Sequence, residues 1–187
     1  AVEHVRNDML KLNSIVLSQL IDVGLNPISH PPHEWASNLG PEFNGTLERF
    51  ASEDVNTVHV SFGDVVDVDD ERKFGILSGD DIVARLSIEL KGVESLVFAM
   101  GGVDGLLKVP PHLATVDDLI EDWSPEVTYE GVHQTDIDVT GGIGLKMTRG
   151  YLVATNGVSV HLINGEYPER ILDFVRGKTW RGTTILP

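Results

Sequence analysis

The stretch ESLVFAM, residues 94–100, constrains the fold of this chain more than any other. From Leu96 to Met100 it is apolar without polar alternation, which suits a strand at the centre of a parallel sheet covered on both faces. Parallel neighbours cannot be joined by a hairpin; each needs a crossover, usually a helix. The other residues should therefore alternate strands with helices.

They do. Val5, Met9, Leu12, Val16 and Leu20 recur at spacings of three and four, predicting an opening helix with one apolar face up to Gly24. LNPISHPPHEW then reads as a short strand entering a proline-rich loop, TLERFASE as a short helix, and Thr57 to Ser61 as a buried strand. A polar turn leads to a short strand from Phe74 to Leu77. Ser78–Gly79–Asp80 marks the start of a helix that runs to about Lys91, with Ile82, Leu86 and Leu90 on one face. Beyond ESLVFAM, Thr115 to Ile120 is expected as a short helix in which Thr115 and Asp118 match a capping box with Asp in place of Glu. Residues 123–137 connect. From DVTGGIGLKM a helix continues to about Thr155, VSVHLIN is a strand, YPERILDFV a helix started by Pro168, and GTTILP a terminal strand. The expected fold is an α/β sandwich around a mainly parallel sheet, as one domain over residues 1–187.

Composition narrows the function. With 29 acidic against 14 basic residues the formal charge is −15, which argues against nucleic acid, whose backbone needs clustered Lys and Arg. Cysteine is absent, so disulfides and thiolate metal sites are excluded and a cytoplasmic setting is expected. No apolar run approaches the ~18 residues a membrane span needs. An anionic ligand would have to find a local pocket of lysines and backbone amides within an acidic surface.

The loops FGDVV, SGDD, GGVDG and DVTGGIGLK, with INGEYPER a weaker fifth, each follow a strand or precede a helix and carry Gly with Asp, Asn or Lys. In open α/β sheets ligands collect beyond the carboxyl ends of strands. Glycine lets the backbone approach a phosphate, and the free amides of a helix N-terminus bind anions. Lys146 would add a mobile positive charge one helical turn beyond Gly142. The pattern is neither a Walker loop nor a G-x-G-x-x-G fingerprint. Taken singly, GGIGLK reads equally as a structural turn, SGDD as a helix cap, and INGEYPER as a turn before a helix.

In order, however, SFGDVV, KFGILSGDDIVARLSIEL, GVDG, DVTGGIGLKM, NGVSVHLINGEYPERI and RGTTI resemble isopentenyl phosphate kinase of the amino acid kinase superfamily, over most of the chain. The resemblance implies a three-layer αβα sandwich, frequently dimeric and typical of archaea. It also implies transfer of the γ-phosphate of ATP, with Mg²⁺, to isopentenyl phosphate, forming isopentenyl diphosphate. By position it implies that Lys146 serves the β- and γ-phosphates and that Gly141 and Gly142 shape the loop beside the nucleotide. Asp104 and Gly105 belong to the nucleotide-side loop, Asp80 orients catalytic lysines, and Gly63 lies near the substrate phosphate. Met9, Leu12 and Val16, on a helix that lines the isoprenoid pocket in the family, read either as substrate contacts or as core.

Two departures from the family pattern stand out. Its K-x-G-G-S segment and its H-G-G-G-S-F-G-H-like loop do not occur in this sequence. The resemblance thus implies an N-terminally incomplete, mostly nucleotide-binding portion, inactive alone or paired with the segment it lacks. Gly102 stands where the family carries an acidic residue. Rival readings are a fosfomycin-type kinase of the same superfamily, and a non-catalytic chain that binds nucleotide or a partner.

Of the histidines, His30 and His33 bracket two prolines; with no third ligand to place beside them, a surface loop is expected rather than a metal site. His59 and His161, on strands with apolar neighbours, are expected as hydrogen-bonded core residues.

Overall fold

The computed structural model describes residues 2–51, 54–130 and 142–187. The chain is α/β and resolves into two compact units, Ala1–Leu90 and Lys91–Pro187. Among the described residues, no helix is long and apolar enough to cross a membrane.

In the first unit, α1 (Val2–Asp22) leads to β1 (Asn26–Ser29), and a 3₁₀ turn at Pro32–Glu34 opens the proline-rich loop. A second 3₁₀ turn at Glu48–Phe50 replaces the expected short helix and precedes β2 (Thr57–Val60). β1 and β2 pair in parallel, with Ile28 opposite His59. β3 (Asp64–Asp67) and β4 (Phe74–Leu77) form an antiparallel hairpin. β4 has the expected bounds, whereas β3 escaped the sequence reading. α2 (Gly79–Glu89) starts at the expected place, where the Ser78 side chain accepts a hydrogen bond from the Asp80 amide. Its Ile82, Leu86 and Leu90 pack on a core of Phe43, Leu47, Val66 and Leu77, also as expected.

α1 forms where expected but turns differently. Leu12 and Val16 are 53% and 40% exposed, while Asn13 is buried. Asn13 donates to the Ser29 hydroxyl at 2.7 Å, and Arg6 Nε donates to the Val65 carbonyl at 3.0 Å. These two polar anchors set the rotation of the helix. The apolar stripe read from spacing alone is therefore not the core face, because the buried Asn13 amide and the half-buried Arg6 guanidinium need partners, and this rotation gives them Ser29 and Val65.

In the second unit, β5 (Ser95–Met100), β6 (Leu106–Leu107), β7 (Leu119–Ile120) and β8 (Asp122–Trp123) precede α3 (Gly142–Thr155), β9 (Ser159–Asn164), α4 (Pro168–Val175) and β10 (Gly182–Ile185). The four-stranded sheet runs β5-β9-β10-β8. β5–β9 and β8–β10 are parallel, β9–β10 antiparallel, so the sheet is mixed, with parallel pairs in the majority. The capping box at Thr115 and Asp118 is present, on a 3₁₀ turn at Val116–Asp118 instead of a helix.

Among the described residues, ESLVFAM is an edge strand of this sheet, not its centre. Leu96 and Phe98 are buried, but Ala99 is exposed and Val97 half-buried. The strand covered on both sides is β9, buried from Val160 to Asn164. A run rich in Val, Phe and Met gives no sign of which edge of the strand is paired; only the partner decides that.

Candidate functional site

Strands β5 and β9 run parallel, so both release the chain at the same end of the sheet. There the loops GGVDG and NGEYPER meet. The Gly165 amide bonds to the Met100 carbonyl at 2.8 Å, and Asn164 holds its own turn by accepting from the Glu166 amide at 3.0 Å. Asp104 is the centre of this junction. Its carboxylate accepts from Asn164 Nδ2 at 3.1 Å, from Arg181 Nε at 2.6 Å and from Arg170 Nη1. Burial alone would raise this carboxyl, but hydrogen bonds from Arg181, Arg170 and Asn164 outweigh it and hold it down at about 2. Arg170 lies 4.3 Å over the Tyr167 ring, and Arg181 also donates to the Val116 carbonyl at 3.0 Å. An open cleft of about 460 Å³ is lined by Gly102, Asp104, Thr115, Asn164, Glu166 and Arg170, among others, within the range of small-molecule sites.

The predicted residues of this unit divide between the cleft and its supports. Gly102 adopts φ +70 in open space, a conformation that L side chains seldom take. Gly105 sits behind the cleft. A Cβ there would lie 2.4 Å from Thr183 Oγ1 and 3.0 Å from the Thr183 amide. That hydroxyl is committed, accepting from the Leu106 amide at 2.9 Å and donating to the Ile120 carbonyl at 2.6 Å. Gly105→Ala is accordingly expected to lower stability by about 1–3 kcal/mol through overpacking, read from urea unfolding; an unchanged midpoint would mean that the β6–β10 contact is loose. Gly142, at φ +53, opens α3. One turn on, Lys146 Nζ lies 4.8 Å over the ring of Phe98. Gly141 lies outside the described residues. Ile143 shares a small cavity with Met100, Val103 and Gly105, which joins the start of α3 to the GGVDG loop.

In the first unit the structure brings SFGDVV and SGDD together. A Cβ on Gly63 would lie 3.3 Å from the Gly79 amide and 3.4 Å from the Leu77 carbonyl. Gly63 therefore abuts the start of α2, whose first turn carries Asp80.

Of the pair expected on a surface loop, His33 stays 19% exposed in the proline-rich loop, whereas His30 does not fit that expectation. His30 is buried, with its Nε2 2.8 Å from His59 Nδ1 and its ring 4.4 Å from Phe50. The parallel pairing of β1 and β2 carries both histidines to one face, which spacing within a single segment cannot reveal. Burial first, then the charges of His59 and Arg49, lower His30 to about 4. His33 Nδ1 lies 2.6 Å from Asp64 Oδ2. His161 is a buried core residue as expected, its Nδ1 3.3 Å from Thr184 Oγ1. Among the described residues, no three His, Cys, Asp or Glu side chains converge as a metal cage.

Sequence reasoning did not single out Asn164, Arg170, Arg181, His33 with Asp64, or the His30–His59 pair. A signal existed for the first three. Each sits inside a stretch already quoted, LINGEYPERI or RGTTI, and a lone acidic residue in a glycine loop of an α/β protein needs cationic partners when half buried.

No family model matches the chain. It is 37% identical over 185 residues to isopentenyl phosphate kinase of Thermoplasma acidophilum, covering 97% of this chain and 70% of that protein. It is 30% identical over 188 residues to isopentenyl phosphate kinase of Methanothermobacter thermautotrophicus, covering 96% of this chain and 68% of that one. A crystal structure of an isopentenyl phosphate kinase substrate complex superposes with a TM-score of 0.73 at 33% identity, over 98% of this chain and 70% of that chain.

Proposed function

This chain belongs to the isopentenyl phosphate kinase family, and from that premise we propose that it serves the transfer of the γ-phosphoryl group of ATP to isopentenyl phosphate. An oxygen of the acceptor phosphate forms the new bond to the γ-phosphorus, the bond from that phosphorus to the β–γ bridging oxygen breaks, and ADP leaves. Catalysis of this step is mainly positioning and charge stabilisation. The observation that carries the reading is the convergence of GGVDG, NGEYPER and the start of α3 beyond the carboxyl ends of parallel β5 and β9, where α/β sheets bind their ligands.

Within it, Lys146 neutralises the β- and γ-phosphates, and Gly141 and Gly142 let the backbone approach them. Asp104 and Gly105 act as positioning residues: the first ties the loop to Arg170 and Arg181, the second seats it against Thr183. On the acceptor side, Gly63 sits beside the acceptor phosphate and Asp80 orients the catalytic lysines. Mg²⁺ would supply charge neutralisation at the nucleotide phosphates. The described residues offer it no protein cage and Asp104 is engaged by guanidinium groups, so it would arrive on those phosphates, as Mg²⁺ commonly does. The chain is placed in the cytoplasm, as a homodimer without nucleic-acid or membrane partners; the formal charge of −15 supports the exclusion of nucleic acid.

Lys146→Ala is expected to raise the Kd for ADP about tenfold, the scale of one charge-assisted hydrogen bond; an unchanged Kd would remove Lys146 from the site. Phosphorus NMR of ATP with isopentenyl phosphate or fosfomycin then distinguishes the acceptors. Transfer to fosfomycin alone would replace this reading by a fosfomycin-type kinase. One observation favours a second reading, a nucleotide- or partner-binding chain without catalysis: the acidic residue of the family is replaced by Gly102 at φ +70. ADP binding without transfer to either acceptor would support it.

A further inference from the structure

We propose that Asn44–Gly45 is a self-modification site, where the Gly45 amide closes on the Asn44 side chain and leaves an aspartyl or isoaspartyl residue at position 44. The inference stands apart from the kinase reading and concerns the first unit alone.

The sequence holds three Asn–Gly pairs, at Asn44, Asn156 and Asn164, and the structure treats them differently. Asn164 is 3% exposed; its Nδ2 donates to Asp104 at 3.1 Å, and the Gly165 amide donates to the Met100 carbonyl at 2.8 Å. Asn156 Nδ2 donates to the Leu152 carbonyl at 2.8 Å, and the Gly157 amide to the Ala154 carbonyl at 3.0 Å. In both pairs the attacking nitrogen and the departing one are tied down. At Asn44–Gly45 neither is. The Asn44 side chain is exposed, and among the described residues neither it nor the Gly45 amide has a hydrogen-bond partner. The Asn44 main chain pairs with Ser37, its amide donating at 2.8 Å and its carbonyl accepting at 2.9 Å. Swinging Gly45 toward Asn44 Cγ gives up the second of these bonds.

Glycine at 45 leaves the nitrogen open to approach, and the packing requires it. A Cβ there would lie 2.9 Å from Cε3 and from the carbonyl oxygen of Trp35. The contact that demands glycine therefore also keeps the pair reactive.

The reaction needs only water. The Gly45 nitrogen, giving up its proton, bonds to Asn44 Cγ; the bond from Cγ to Nδ2 breaks, and ammonia leaves with that proton. Water then opens the resulting succinimide. Opening at the side-chain carbonyl gives an aspartyl residue; opening at the main-chain carbonyl routes the backbone through Cβ and Cγ. The second product lengthens the chain by one atom and adds a charge beside Phe43, which is 1% exposed. The Phe43 carbonyl accepts from Arg85, whose guanidinium lies 4.6 Å over its ring, and Trp35 meets that ring edge-on at 5.5 Å. Modification should therefore loosen this core.

The test incubates the protein in warm, mildly alkaline buffer and follows all three sites by peptide mapping with mass spectrometry, natively and unfolded in urea. Native conversion at Asn44 should run at least about tenfold faster than at Asn156 or Asn164, where two hydrogen bonds must first open. In urea the three rates should converge. Asn44→Gln, which alters a side chain without partners, should remove the fast native component. The urea midpoint of the aged parent should drop while that of aged Asn44→Gln holds. Asn44 protected by the fold as strongly as the other two overturns the inference, and that comparison within the parent decides the matter even if the variant fails to fold. Fast conversion with an unchanged midpoint upholds the site and removes its effect on the core.

Discussion

Asp104→Ala is expected to destabilise the second unit by about 2–4 kcal/mol, less than the loss of a fully buried ion-pair partner because the site is partly open. The Asp104 side chain is 25% exposed, and its removal leaves Arg170, Arg181 and Asn164 without their common acceptor. Neighbouring loops should loosen together, so the same variant should bind ADP more weakly although Asp104 need not touch the nucleotide. Asp104→Asn, which keeps the shape and loses the charge, should fall between. The acid dependence has a definite sign. The Asp104 carboxyl is held at about 2 in the fold, against about 3.9 in an unfolded chain. Its contribution is complete above the unfolded value and disappears as the pH falls through the folded one. Urea unfolding of both variants measures the effect; an Asp104→Ala protein as stable as the parent would mean that the cluster adds nothing to the fold.

The second large effect is a loss of stability in the first unit at mildly acid pH. His30 is 6% exposed and lowered to about 4 from 6.5, first by burial and then by the charges of His59 and Arg49. Between those two values the unfolded chain takes up a proton that the folded one resists. Stability from this group is therefore intact above 6.5 and is lost as the pH falls toward 4, by about 3 kcal/mol in all. His30→Gln should flatten that slope, whatever it costs at neutral pH. Parallel pH profiles for the two proteins would show that His30 is accessible to protons in the folded state.

Local signals were the most legible. Ser78 before Gly79–Asp80 set the start of α2, and Pro168 the start of α4. Phe74–Leu77 and the end of α3 at Thr155 fell where spacing put them. β6, β7 and β8 have two residues each and owe their conformation to pairing, β8 with a strand about sixty residues later, so no local pattern announces them. The rotation of α1 was hidden for a related reason: Asn13 and Arg6 choose the buried face, and their partners Ser29 and Val65 lie 16 and 59 residues away. The candidate loops were visible as glycine-rich stretches and the resemblance marked Asp104 by its place in GVDG, but nothing local showed what it pairs with. Its partners Arg170 and Arg181 stand 66 and 77 residues on, and only the juxtaposition of β5 and β9 makes them one cluster.

The nucleotide assignment of those loops underlies every role proposed for the second unit, and calorimetric titration of the protein with ADP in the presence of Mg²⁺ tests it most directly. Saturable binding at a single site is the predicted result. A titration with no binding would contradict the account: the convergence of GGVDG, NGEYPER and α3 would then be a feature of the fold, not a nucleotide site.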